Sequence, residues 1–459
     1  MAALSGKKPH VMAVAVPGQG HITPLMNLCR EIAKRGIKVT FVNARTIHEK
    51  LVAAAEDIDD YIALASVPDE IIPDIHPNEP FKLLASLRKT MPLTLPDLIE
   101  SINNSNPDQK ISCIIVDLAL GWIVEIAQKM GIEPVGFSVV SMADTAIILQ
   151  SPKLLEGGIV DTHGISSILH LLSDDIPPWR KNELPWSSSS DEKIRKKSFE
   201  IVMEFRAANQ VKWLICNSCY ELEPAAYGLY PNFLPLGLFH QSETKSNSGS
   251  LLPADSSCLS WLDTKPDGSV IYVSFGSLAS FSQQQMEELA TGLELSGRPF
   301  LWVIRRDLAA GSPLVYPDGF LERVSVLGKI VEWAPQNEIL SHPAIACFLS
   351  HCGWNSTLEG VSKGVPFLCW ACFADQFHNE SFICDMWEIG LRIDLDEFGS
   401  VRSKHEIKKK IDMIFWSDKF KENALKLKEL CAKSIREGGS TYKYFEMFID
   451  YLKNTTTHL

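Results

Sequence analysis

Two sets of side chains stand at spacings that chemistry can use, one in each half of the chain. In the first, His21 follows Gly18-Gln19-Gly20 at the end of an apolar run, where a strand would hand over to a helix and the imidazole would point past the sheet edge. A neutral histidine there can take the proton of a hydroxyl as that oxygen attacks, an effect worth about two to four decades in rate. Asp117 ends a second apolar run, Ile111 to Val116, and so lies on the same strand-end edge, within reach of the imidazole. Its carboxylate would bond the far ring nitrogen, fix the tautomer and stabilise the imidazolium. No serine sits in a nucleophile-elbow motif, and this pair needs no covalent intermediate.

The second set lies between Trp333 and Gln376, which reads WAPQNEILSHPAIACFLSHCGWNSTLEGVSKGVPFLCWACFADQ. Ala346 to Ser350 reads as a buried strand, His351-Cys352-Gly353 as a tight turn, and Asn355-Ser356-Thr357 as the capped opening of a helix. Backbone N–H groups and the positive helix end, with hydroxyls and an amide in the first turn, would hold a diphosphate without any lysine. Gly353 would let the backbone come close. Glu359 shares a helix face with Asn355 and Ser356 about one turn further on, where a carboxylate can accept from both vicinal hydroxyls of a ribose. Trp333 offers a flat face to a nucleobase, and Asp375 with Gln376 could grip sugar hydroxyls.

Such residues need elements to hold them at strand ends, and the hydrophobic pattern supplies these. Short β-branched runs alternate with amphipathic stretches, which predicts an α/β protein of parallel sheets covered by helices on both faces. First-half strands are expected at 10–16, 38–42, 111–116, 134–140 and 213–217, with helices at 22–34 and 122–130. After a stretch rich in Ser, Gly, Asn and Pro, strands recur at 270–275, 300–304, 329–332, 346–350 and 366–370. This places one Rossmann-like domain at 1–240, a linker at 241–254 and a second Rossmann-like domain at 255–439. Doubly wound domains in tandem would put a cleft between their facing strand ends.

Composition limits the partners. The chain has 459 residues, enough for two domains, with 44 Lys and Arg against 56 Asp and Glu. A net charge of −12 with no concentrated basic patch argues against nucleic acid and anionic lipid surfaces. The run Val11 to Val16 is cut short by Pro17 and Gly18, so it reads as a first strand rather than a secretory leader, and no stretch is long and apolar enough to span a bilayer. Eleven scattered cysteines fit reduced thiols in a soluble cytoplasmic protein. A monomer is expected.

The stretch from Trp333 to Gln376 resembles the signature box of plant family 1 UDP-dependent glycosyltransferases. PGQGH at 17–21, VDLALGW at 116–122 and the SFGS turn at 274–277 are similar to that family's other landmarks. The resemblance implies a GT-B fold of two facing Rossmann-like doubly wound parallel-sheet domains, with a helix at 440–459 returning to the first. It implies UDP-glucose as co-substrate, no metal or other cofactor, and a small lipophilic acceptor such as a flavonoid, phenolic or terpenoid. Residue by residue, it places Trp333 on the uracil, Gln336 on the uridine and Glu359 on the ribose, with Ala334 and Gly353 also in the donor site. Ser277, His351, Asn355 and Ser356 would contact the diphosphate, and Trp354, Asp375 and Gln376 the transferred sugar. Gln376 closing the box, with Trp354 inside it, is the pattern associated with glucose. His21 and Asp117 take the base and orienting roles, and the anomeric configuration inverts. Acceptor contacts are expected from Gly18, Leu118, Ser141 and Met142, with parts of 81–95 and 173–186. Ala371-Cys372 departs from the family's usual Pro and aromatic pair.

Other readings of the same residues are blander. Asn355-Ser356-Thr357 and Asn379-Glu380-Ser381 match the glycosylation sequon, which a cytosolic chain does not use. The pairs Cys216/Cys219 and Cys369/Cys372 are too far apart for a zinc ribbon and read as buried thiols. Asp394-x-Asp396 resembles a metal-binding dyad but reads better as a surface turn. A nucleotide-sugar-binding protein without catalysis would not require His21 and Asp117, and a nicotinamide-dependent oxidoreductase would require a GxGxxG that is absent from both halves.

Overall fold

The run HVMAV at His10–Val14 is apolar or neutral at every position, and all five residues are buried, as a parallel strand covered on both faces requires. It is an interior strand of a seven-stranded sheet in the computed structural model, which describes residues 8–54, 60–69, 80–161, 163–166, 172–180, 183–189, 191–239, 255, 257–276, 281–304, 315–396, 399 and 401–455. The expected linker at 241–254 lies outside the described residues. The strands are β1 (His10–Val14), β2 (Lys38–Ala44), β3 (Ile62–Val67), β4 (Cys113–Asp117), β5 (Glu133–Ser138), β6 (Trp213–Cys216) and β7 (Phe233–Pro235). They lie in the order β3-β2-β1-β4-β5-β6-β7, every pairing parallel. The order reverses between β1 and β4, where crossovers leave to opposite sides and open a crevice at the carboxyl ends.

A second sheet repeats the plan with β8 (Val270–Ser274), β9 (Phe300–Val303), β10 (Gly328–Val331), β11 (Ile345–Ser350), β12 (Phe367–Cys369) and β13 (Gly390–Arg392). Its order is β10-β9-β8-β11-β12-β13, so the reversal falls between β8 and β11. The expected strands all form, and β3, β7 and β13 are additional. β7 and β13 have three residues each, too few to show a period. The helix Pro80–Ser105 was also not anticipated, because Pro92 and Pro96 interrupt its pattern.

The chain divides into two compact units, Met1–Ile176 with Arg180–Leu251 and Lys433–Leu459, and Pro177–Trp179 with Leu252–Ala432. Pro177–Trp179 joins the second unit because the Trp179 ring stacks on His378 at 3.8 Å and the Pro177 carbonyl accepts from His378 Nε2 at 2.8 Å. The last helix, Ser440–Asn454, completes the first unit. Phe445, Phe448, Ile449 and Leu452 enter its apolar core, Tyr451 lies against Trp213 at 4.4 Å, and Arg35 pairs with Glu446 at 2.6 Å. Among the described residues no helix is long and apolar enough to cross a membrane.

All eleven cysteines are free thiols. Burial holds Cys216 and Cys369 well above their ordinary range and pushes Cys372 up to about 12, so none of these three offers a ready thiolate. Asp394 is paired with Lys410 at 2.8 Å, and in a turn the Asp396 carbonyl accepts from Gly399 N and its Oδ1 from Val401 N. Replacing Phe448, which has no exposed surface, by alanine should cost about 3–5 kcal/mol through lost contacts and a residual cavity. Equilibrium urea unfolding of Phe448→Ala checks this, and an unchanged midpoint refutes a load on that ring.

Candidate active site

In the first unit the site grows from the ends of β1 and β4. Gly18 is the extended N-cap of the helix Gln19–Lys34, and its carbonyl accepts from His21 N and Ile22 N at 2.9 Å each. This sets His21 in the first turn, directly beyond β1. Asp117 is the last residue of β4, and its Oδ2 accepts from His21 Nδ1 at 2.6 Å. The carboxylate is held from two further sides, Oδ1 by Ala119 N at 3.1 Å and Oδ2 by Val16 N at 3.4 Å. An ionised carboxylate only accepts, so the short bond places the proton on Nδ1 and leaves proton uptake to Nε2. Exposure divides in the same sense, with the His21 side chain 31% exposed and that of Asp117 1%. The imidazole is open to solvent while its partner is shielded from water.

In the second unit the turns after β8 and β11 lie side by side. Gly276 has φ +69, and a Cβ there would fall 2.7 Å from His351 Nε2; one on Gly353 would fall 2.5 Å from the same atom. Only glycine at both places admits the imidazole edge. Burial lowers His351 to about 4, so near neutral pH it is an uncharged hydrogen-bonding group. Cys352, at φ +63, and Ala374, at φ +54, are left-handed non-glycine residues, a strain that concentrates at binding sites. The helix Trp354–Lys363 starts after Gly353, not at Asn355, and has no side-chain cap and no acidic residue in its first turn. Ser356 and Thr357 lie inside the helix, Thr357 Oγ1 turns back to the Cys352 carbonyl at 3.3 Å, and no side chain caps the N-terminus, whose positive dipole end favours an anion.

One turn along, Gln336 Nε2 donates to Ser356 Oγ at 3.0 Å and to Glu359 Oε2 at 2.5 Å. Tyr272 OH donates to Gln336 Oε1 at 3.0 Å, which fixes the amide orientation. Desolvation raises the Glu359 carboxyl above its usual range, and the Gln336 bond opposes that rise. The arrangement can present a carboxylate and a hydroxyl to a polyol beside a helix end that favours phosphate.

The chain has counterparts among known proteins. Residues 203–434 match the family described as UDP-glucoronosyl and UDP-glucosyl transferase. UDP-glycosyltransferase 83A1 of Arabidopsis thaliana is 39% identical, with 97% of each chain covered. The chain belongs to this family. The protein is a glycosyltransferase, and its two parallel sheets are those of the GT-B fold. Solved structures agree: Os79 from O. sativa in complex with UDP has a TM-score of 0.80 at 26% identity, covering 96% of this chain and 100% of that one. A UDP-glucosyltransferase from Polygonum tinctorium capable of glucosylating indoxyl, in complex with 3,4-dichloroaniline, has a TM-score of 0.82 at 26% identity, covering 97% and 99%.

The glycosyltransferase's remaining sequence-derived residues fall as follows. Trp333 is partly exposed and Ala334 buried, ahead of the helix Gln336–Ser341. Trp354 is 3% exposed, its ring against Trp387 at 6.3 Å. Asn355 is partly exposed in the first helical turn. Gln376 Oε1 accepts from Cys372 N at 2.9 Å and Phe373 N at 3.1 Å, so its carbonyl shapes the atypical Ala371-Cys372 wall and its NH2 group is the end suited to a sugar oxygen. Ser277 lies outside the described residues. In the first unit Leu118, Ser141 and Met142 have no exposed surface; Ser141 caps the helix Met142–Glu156, and Gly18 is partly exposed.

Sequence reasoning missed three residues. Tyr272 orients Gln336, Arg402 donates to the carbonyls of Ala371 at 3.0 Å and Ile393 at 2.9 Å, and Asn379 bridges Asp375 and Cys352. Asn379 lies four residues after Asp375 on one helical stretch, a spacing that could have revealed it. It is fully buried, which also removes the sequon reading there.

His21→Ala should retain UDP binding while losing about two to four decades of turnover, and Asp117→Asn should lose much of the same through the wrong tautomer. Steady-state rates with calorimetric UDP titration test this; wild-type turnover in His21→Ala would remove the base. A second expectation concerns acid. His10, whose ring bonds Thr40 Oγ1 at 2.8 Å and the Gln109 carbonyl at 3.1 Å, is lowered by burial to about 4, as is His351, from an ordinary value of 6.5. The unfolded chain therefore binds protons that the folded chain refuses, and stability falls as pH drops from about 6.5 toward 4. Urea midpoints across that interval should decline less steeply in His10→Asn than in the wild type; equal slopes count against the buried neutral ring.

Proposed function

We propose that the protein transfers glucose from UDP-glucose to a hydroxyl of a small lipophilic acceptor, with inversion at the anomeric carbon. The observation that carries this reading is the His21–Asp117 bond of 2.6 Å in a chain whose second unit presents an uncapped helix end beside Gln336, Ser356 and Glu359. The uncapped helix and His351 receive the diphosphate, Glu359 the ribose hydroxyls and Trp333 the uracil. Asp375 and Gln376 hold the hexose. His21 Nε2 takes the acceptor's proton as its oxygen bonds to the anomeric carbon from the face opposite UDP. The bond from that carbon to the diphosphate breaks, and UDP leaves with its new charge met by N–H donors. Asp117 stabilises the imidazolium until the proton passes to solvent.

Glucose is favoured by Gln376 at the end of the box and by the glucosylating activity in the name of the Polygonum relative. That relative's aromatic ligands and the apolar character of residues 81–95 favour a phenolic, flavonoid or terpenoid acceptor, a reading that fits plant secondary metabolism. Diphosphate binding through N–H groups makes a metal ion unnecessary for leaving-group stabilisation, and free buried thiols suit a reducing cytoplasm.

Purified protein incubated with UDP-glucose and a panel of aglycones should add one hexose mass to some of them, and should do so equally in excess chelator. Glu359→Ala should raise KM for UDP-glucose with turnover largely kept. Absence of hexose addition to every aglycone, with UDP-galactose accepted in its place, would remove the donor assignment; complete loss of transfer in chelator would restore a metal.

A further inference from the structure

Asn379 has no exposed surface, and both hydrogens of its amide are used. Nδ2 donates to Asp375 Oδ2 at 2.8 Å and to the Cys352 carbonyl at 3.0 Å. Both partners only accept, so the orientation of the amide is fixed. Its own Oδ1 is buried without a partner among the described residues. An orphaned buried carbonyl destabilises a fold, and a leucine of similar size would avoid the loss. The NH2 group is therefore what the position requires.

Its two acceptors belong to different parts of the donor site. Cys352 is the strained residue of the turn after β11, with φ +63, and its peptide precedes the N-cap Gly353 of the phosphate-facing helix. Asp375 is the N-cap of the helix Gln376–Ser381, and it is one of the residues assigned to the hexose. We propose that Asn379 is a positioning residue that locks the diphosphate turn to the hexose-binding carboxylate, so that a nucleotide sugar meets both in one fixed geometry. The inference rests on the donor-site reading given above. Held in this way, the left-handed Cys352 peptide does not relax, and Asp375 does not swing toward the turn.

Asn379→Asp keeps the shape but sets a carboxylate against Asp375 and the Cys352 carbonyl; Asn379→Ser removes the reach to both and carries the test if the first variant does not fold. Melting curves establish folding, and calorimetry then gives affinities for UDP and for UDP-glucose. The expected result is a loss of about 3- to 10-fold in UDP affinity, the factor one hydrogen bond contributes, with a further loss in the affinity that the hexose adds. A lower melting temperature with both affinities within twofold of wild type would show a merely structural amide and overturn the inference. Glu359→Ala is measured alongside. If it weakens UDP while folded Asn379 variants do not, only the present inference fails; if it leaves UDP binding unchanged, the donor-site reading fails and takes the inference with it.

Discussion

Two neighbouring parallel strands whose following segments depart to opposite sides of the sheet leave a gap that neither crossover fills. In this glycosyltransferase the gap occurs twice, beside β1 and β4 and again beside β8 and β11, and all the chemistry described above is built at its two rims. Val14 pairs with Val116, so Asp117 stands one step beyond a matched rung and opposite the strand that leads to His21. Ser274 pairs with Ser350, so Gly276 and His351 emerge at the same level. Register fixes these meetings, because a slip by one residue would turn each side chain to the other face.

The two rims solve opposite electrostatic problems. In the first unit a carboxylate is held out of contact with water by three hydrogen bonds, one of them from the imidazole it orients. In the second unit the His351 ring is kept neutral by burial against two glycines. Positive character there comes from peptide dipoles and N–H groups, which do not need a counterion when the site is empty. Strain follows the same division: Cys352 and Ala374 adopt left-handed backbone in the second unit's turns, while Gly18 at the first unit's turn is simply extended.

Much of this was legible in the sequence because periodicity and turn chemistry acted together. The β-branched runs predicted ten strands, and all ten form, since strands buried on both faces announce themselves as continuous apolar segments. β7 and β13 stayed hidden because three residues show no period, and the helix Pro80–Ser105 because proline within it imitates a break. His21 and Asp117 were placed by strand-end logic alone, and the structure brings them together. The helix start at Trp354 was misplaced because Ser356 and Thr357 resemble caps, whereas Gly353 ends the turn under the steric demand of His351. Tyr272 and Arg402 act through contacts distant in sequence, which one-dimensional patterns do not contain.

The return of the final helix to the first unit bears on how the protein is made. Phe445, Phe448, Ile449 and Leu452 fill a core whose other members are all encoded before Phe239. A ribosome adding about 5–20 residues per second needs roughly 10–40 s to traverse the intervening stretch. During that interval the nascent first unit carries an uncovered apolar face while the second is still emerging. Chain order therefore leaves the first unit open to chaperones until the residues that close it, more than two hundred positions further on, have been translated.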